Sequence, residues 1–125
     1  MLKGKKILIV DDNDLNIFAL SATLKPKGPI LSTAKDGREC LDFLLHNSPV
    51  DIILLDMMMP IMDGYETLIE IRKDANLKNI PVIALTALAM PGDCEKSLKA
   101  GANDYCSKPI DVDTLLKKIC ALINI

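Results

Sequence analysis

Five short apolar runs punctuate the chain: Ile7-Leu8-Ile9-Val10, a weaker stretch from Pro29 to Ala34, Ile52-Ile53-Leu54-Leu55, Pro81 to Leu85, and Asp104-Tyr105-Cys106. The first, third and fourth lack polar alternation, the pattern of strands covered on both faces by helices. The segments between them are long enough to be those helices. In the last, Val112, Leu115, Leu116, Ile119, Leu122 and Ile123 fall on one side of a 3.6-residue period, behind an Asp111 or Asp113 cap. Asp63-Gly64 opens a helical stretch that runs to Asp74, and Pro91-Gly92-Asp93 opens another that stops at Gly101. Pro26, Gly28 and Pro29 are expected to end the first helix abruptly. This alternation predicts an α/β fold of (βα)5 type: a doubly wound, five-stranded parallel sheet with right-handed crossovers and helices on both faces.

Composition narrows the function. A chain of 125 residues, 50% of them hydrophobic, fits one domain with a self-sufficient core. Fifteen Lys and Arg against 17 Asp and Glu give a net charge of −2, which argues against direct nucleic-acid binding. Cys40, Cys94, Cys106 and Cys120 have neither zinc-knuckle nor redox-dithiol spacing, so they read as small buried hydrophobes in a reducing compartment. Nothing approaches the length of a membrane span, and a cytoplasmic protein without membrane association is expected.

In doubly wound sheets, chemistry collects at the carboxyl ends of the strands. Directly after the first strand come Asp11 and Asp12, after the third Asp56, after the fourth Thr86, and after the fifth Ser107, Lys108 and Pro109. Each acid alone could simply cap the following helix. Together they bring three carboxylates, a hydroxyl and an ammonium to one edge. Carboxylates so close raise one another's pKa unless a cation compensates, and an all-oxygen donor set points to Mg2+.

The segments Ile7-Leu8-Ile9-Val10-Asp11-Asp12-Asn13, Leu54-Leu55-Asp56 through Asp63-Gly64, Ala84-Leu85-Thr86-Ala87 and Asp104-Tyr105-Cys106-Ser107-Lys108-Pro109 resemble the receiver domain of two-component response regulators. The similarity spans essentially the whole chain, and the start Asp11-Asp12-Asn13-Asp14-Leu15-Asn16 is most like receivers of hybrid histidine kinases and small stand-alone regulators. It implies one receiver domain over 1–125, with no second output domain in these residues, and a flavodoxin-like sheet of order 2-1-3-4-5. It also implies that Asp56 accepts a phosphoryl group from phosphohistidine and that Asp12, Asp56 and the Met58 backbone carbonyl bind Mg2+, with Asp11 acting mainly through a coordinated water. Lys108 and Thr86 would hold phosphoryl oxygens, Lys108-Pro109 would be a cis peptide, and Thr86 with Tyr105 would form the conformational switch. The domain would be a signalling phosphoacceptor, assisting only its own phosphorylation and dephosphorylation.

Its expected partners are a histidine kinase or histidine phosphotransfer protein, and a downstream protein on the helix four, strand five and helix five face. Dimerisation on phosphorylation through helices four and five is a further expectation. Met58 and Leu88 flank the expected path of hydrolytic water and cannot orient it, so slow self-dephosphorylation is expected. Leu15, Phe18, Ala19 and Ala22 share one side of the first helix and Ile17, Leu20 and Leu24 another. Either the helix is deeply covered, or it leaves an apolar surface beside the site for a histidine-bearing helix. Met57, Met58, Met59 and Met62 could likewise fill loop and core or form adaptable contact surface. Three rivals fit less well. A non-phosphorylated interaction module that only resembles a receiver has no need of the complete set Asp11, Asp12, Asp56, Thr86 and Lys108. An aspartate-nucleophile phosphatase needs a second Asp where Met58 stands, and a flavin or nucleotide binder would want a phosphate loop where Asp11-Asp12 repels phosphate.

Overall fold

The computed structural model describes residues 2–47, 49–59, 62–86 and 92–123, with backbone only at 93 and 94. Strands β1 (Lys6–Val10), β2 (Ile30–Ala34), β3 (Ile52–Asp56), β4 (Val82–Thr86) and β5 (Asp104–Ser107) alternate with helices α1 (Asp14–Leu24), α2 (Gly37–His46), α3 (Gly64–Lys73), α4 (Asp93–Ala100) and α5 (Val112–Ile123). All pairings are parallel and the order is β2-β1-β3-β4-β5, so chain order reverses between β1 and β3. That switch point opens the crevice in which the carboxyl-edge residues meet.

Strand alternation divides the core in two. Leu8, Val10, Ile53, Leu55, Val82 and Ala84 pack under α2 and α3, where Cys40, Leu44, Leu68 and Ile71 meet them. Ile7, Ile9, Ile52, Leu54, Ile83 and Leu85 face the other way, against Leu24 of α1 and Leu115, Leu116 and Ile119 of α5. The period-2 geometry of a strand sends neighbours to opposite faces, so a central strand buried on both faces is apolar until the sheet's edge: β3 is buried at every position and turns polar only at its last residue, Asp56.

Side-chain caps start four of the helices. Asn13 accepts from the Leu15 and Asn16 amides, Asp36 from Glu39 and Asp63 from Glu66. Asp111 accepts from the Asp113 amide and the Thr114 hydroxyl, which decides between the two expected caps of α5. Each carboxylate or amide oxygen satisfies an amide that has no partner inside the helix.

Three expectations change and one open alternative is decided. Asp56, Thr86 and Ser107 are the last residues of their strands rather than the first beyond them, because Asp56 still pairs with Leu85 and Thr86 with Ser107. The first helix does not stop abruptly: it tightens into a 3-10 turn, Lys25–Lys27, in which Pro26 is tolerated, and ends at Gly28 with φ +91°. Cys40 and Cys106 are buried but Cys120 is half-buried, so the description as buried hydrophobes fails for Cys120; the Cys94 side chain lies outside the described residues. Of the two alternatives for the methionines, core filling holds for Met57 and Met59, while Met62 is half-buried against Gly37 and Met58 is exposed, at 67%. Leu88 lies outside the described residues.

Burial pushes the Cys40 thiol up to about 12 and raises that of Cys106, which leaves almost no thiolate at neutral pH. Brief iodoacetamide treatment of the folded protein at pH 8 is expected to label Cys120 well before Cys106, and Cys40 only after unfolding. Peptide mass mapping checks this order, and early labelling of Cys40 would contradict the burial argument.

Candidate functional site

The end of β1 carries Asp11 and Asp12 and the end of β3 carries Asp56. One carboxylate oxygen from each lies within 4.8 Å of the others, with Asp11 and Asp56 buried and Asp12 exposed. Asp11 is fixed at both ends: its amide donates to the Ala34 carbonyl (3.1 Å), and its Oδ1 accepts from the Asn13 amide (2.9 Å). Asp56 Oδ1 accepts from the Met58 amide (3.1 Å), so the chain beyond β3 folds back over its own carboxylate. Gly64 lets this loop close. A Cβ there would lie 2.5 Å from Met57 Cα and 2.6 Å from the Asp56 carbonyl oxygen, and neither backbone atom can give way. Gly64→Ala is therefore expected to destabilise the protein by about 2–4 kcal/mol, read as a fall in the urea midpoint.

Lys108 answers the charge from β5. Its Nζ lies 3.5 Å from Asp11 Oδ2 and 3.4 Å from Asp56 Oδ1, with the side chain three-quarters covered. The Lys108 amide donates to the Thr86 carbonyl (2.7 Å), and the Lys108-Pro109 peptide is cis. Thr86 is 4% exposed and its Oγ1 has no hydrogen-bond partner among the described residues. A buried hydroxyl without a protein partner is rare and calls for a water, an ion or a ligand to satisfy it. Tyr105 stands apart from the acids. It pairs with Ala84 and is half-buried in the core under α2 and α3, on the sheet face that alternation also gives Thr86.

Burial raises the pKa of Asp56; the Met58 amide opposes this, the Asp11 charge adds to it, and Lys108 opposes it again. One ammonium thus leaves the three carboxylates undercompensated. Three hard oxygen donors at this spacing, beside a lysine, fit a small divalent cation. Since the folded pKa of Asp56 lies above the unfolded one, its contribution to stability is present below about pH 4, its unfolded value, and is lost as pH rises through the folded value. Asp56→Asn removes that loss. Without divalent cations at pH 7.5 it is expected to raise Tm by about 2–6 °C, and the difference from wild type should shrink toward pH 4 in a melting series.

The chain belongs to the response regulator receiver domain family, whose sequence pattern matches residues 7–120. It is thus a signalling domain of two-component and phosphorelay systems. It is 40% identical over 117 residues to the response regulator PleD of Caulobacter vibrioides, covering 94% of this chain and 26% of that protein. It is 36% identical over 115 residues to the polar-differentiation response regulator DivK of Brucella ovis, covering 92% of this chain and 93% of that one. The chain thus spans about a quarter of PleD and nearly the whole of DivK. Among solved structures, the receiver domain of a sensor histidine kinase from Pseudomonas aeruginosa PAO1 superposes with a TM-score of 0.89 at 36% identity, over 98% of this chain and 99% of that one. That structure holds a magnesium ion in its active site cleft. No helix among the described residues is long and apolar enough to cross a membrane.

Sequence reasoning named every side chain of this cluster but not the amides that orient it. The Asn13 and Met58 amides follow from turn geometry, for which the only signal is an acid two residues earlier. The exposed face of the first helix is settled: Leu15 and Phe18 are 77% and 72% exposed, while Leu24 is buried and Ile17 and Leu20 pack on the core.

Proposed function

We propose that residues 1–125 form one receiver domain in which the Asp56 carboxylate accepts a phosphoryl group from a phosphohistidine. A P–O bond forms as the P–N bond breaks, and the electron pair of that bond returns to the imidazole nitrogen. The observation that carries the reading is the convergence at one sheet edge of three carboxylates, Lys108 and the buried Thr86 hydroxyl, which has no partner among the described residues. Asp11, Asp12, Asp56 and the Met58 carbonyl would hold Mg2+, which when bound supplies positive charge to the phosphoryl oxygens. Lys108 and Thr86 hold the remaining oxygens, so the chain contributes positioning and charge neutralisation. The added charge draws Thr86 inward, and Tyr105, on the same sheet face, carries the change to the surface of α4, β5 and α5. That surface receives a downstream protein or a second copy of the chain. The domain modifies only itself and turns over no separate metabolite.

The donor would be a histidine-bearing helix of a kinase or phosphotransfer protein in the cytoplasm. Support comes from the exposed Leu15 and Phe18 on α1 and from an adjoining cavity of about 280 Å3 between α1 and the start of α5, lined by Asn16, Ala19, Leu20, Lys108, Pro109 and Ile110. The cavity also reaches Asp11, so a helix seated there points a side chain at the acids.

Intact mass after incubation with acetyl phosphate tests the reading. One phosphoryl addition is expected with Mg2+, none with chelator and none in Asp56→Asn. Addition to the Asp56→Asn variant, or none to wild type, overturns it. Met58→Asn and Leu88→Glu are each expected to speed decay of the modified form by about tenfold, and unchanged decay would remove the proposed link between these apolar residues and a long phosphoryl lifetime.

A further inference from the structure

Strand β5 is an edge of the sheet. In a parallel pair every second residue turns its amide and carbonyl toward the neighbour. The bond from the Lys108 amide to the Thr86 carbonyl sets the phase: Asp104 and Cys106 face β4, and Tyr105 turns its backbone outward. That outward edge is closed by side chains. Asp104 Oδ1 accepts from the Tyr105 amide (2.8 Å), and Lys118 Nζ donates to the Tyr105 carbonyl (2.5 Å). The two side chains are joined by Lys118 Nζ to Asp104 Oδ1 at 3.2 Å. The same ammonium lies 4.7 Å from the centroid of the Tyr105 ring. α5 packs on one face of the sheet and the ring on the other, so Lys118 reaches around the edge to grip Tyr105 by both backbone and ring.

We propose that Lys118 is a positioning residue: with Asp104 it clasps the open edge of β5 around Tyr105 and biases the ring toward its unphosphorylated position. This rests on the proposed Thr86–Tyr105 switch and adds what opposes it. Three contacts converge on one ammonium that is one-quarter exposed, where its cation–π and charge-assisted bonds are only partly screened by water. A cavity of about 260 Å3 lined by Tyr105, Ser107, Pro109, Thr114 and Lys118 lies alongside, which gives the edge room to rearrange. Releasing the clasp removes interactions made only with Tyr105 in this position, so the equilibrium moves toward the other state.

Tyr65 and Tyr105 are the only tyrosines, so Tyr65→Phe gives a parent in which ring-labelled tyrosine reports Tyr105 alone by NMR. Saturation with Mg2+ and beryllofluoride, a phosphoryl mimic, is expected to move that signal. In Lys118→Met the free protein's signal should already lie part of the way along that path, and acetyl phosphate labelling should be about two- to fivefold faster. Lys118→Arg should restore the parent's position. If Lys118→Met does not fold, Asp104→Asn, which leaves the ammonium without its carboxylate, should give a smaller shift in the same direction. A free signal unchanged in the folded variants, while the parent responds to beryllofluoride, overturns the clasp and leaves the switch standing. A parent that does not respond overturns the switch, and the clasp with it.

Discussion

Replacing Arg72 with alanine is expected to lower stability by about 2–4 kcal/mol and Tm by roughly 10–15 °C, although Arg72 is far from the acids. Its guanidinium donates to the Gly101 carbonyl (2.9 Å), the Lys78 and Ile80 carbonyls (2.8 and 2.7 Å) and Asn103 Oδ1 (2.8 Å). Asn103 passes the tie to β4, accepting from the Val82 amide at 2.9 Å. One side chain of α3 thus holds the approach to β4, the end of α4 and the approach to β5. Truncation strands the part-buried Gly101 and Ile80 carbonyls at once, and a stranded acceptor shielded from water costs more than its bond was worth. Arg72→Lys should recover only part of the loss, since a single ammonium cannot span a planar fork of acceptors. A urea series with unchanged slope and a lower midpoint is the expected signature, and a loss below about 1 kcal/mol would mean that water replaces the guanidinium freely.

The second large effect falls on Lys108, where two readouts are expected to move in opposite directions. Lys108→Met removes the cation 3.4 Å from Asp56 and 3.5 Å from Asp11. Their repulsion is then relieved only by metal, so Mg2+ affinity should rise about tenfold, the scale of one unit charge at close range in a partly hydrated cleft. Labelling by acetyl phosphate should nevertheless fall about 10- to 100-fold, because the proposed donor to the transferred oxygens is gone. Calorimetric titration with Mg2+ and mass-resolved labelling separate the two. A parallel fall in both would make Lys108 a structural support rather than a charge partner.

Apolar runs of strand length were enough to read the sheet, because strands buried on both faces carry no polar residue until they reach an edge. The same rule explains the one-residue error at Asp56 and Thr86: a polar side chain reads as the end of a strand, whereas the backbone pairs for one residue more. Asp11, Asp12, Asp56 and Lys108 were legible because topology alone carries strand ends together. Arg72 and Lys118 were not. Their main acceptors are backbone carbonyls, 29 residues away for the Gly101 bond and 13 for the Tyr105 bond, and a carbonyl has no letter in a sequence. The tapering end of α1 was misread for a related reason, since Pro26 forbids an α-helical interior but suits the first turn of a 3-10 helix.

The Arg72 tie also fixes how α4 can move. The helix ends at Gly101, whose φ of +117° suits glycine and whose Cβ position lies 2.8 Å from Arg72 Cγ, so this end is wedged as well as bonded. At the other end the Gly92 cap makes no side-chain bond; its carbonyl accepts from the Lys96 amide at 2.8 Å, and Lys96 Nζ lies over the Tyr65 ring at 4.3 Å. A rod pinned at one end turns rather than slides. Eight residues make a lever about 12 Å long, so a swing of roughly 10° about Gly101 carries the far end about 2 Å while the pivot stays in place. Any swing of α4 about Gly101 therefore leaves the approaches to β4 and β5, which the same guanidinium holds, in place.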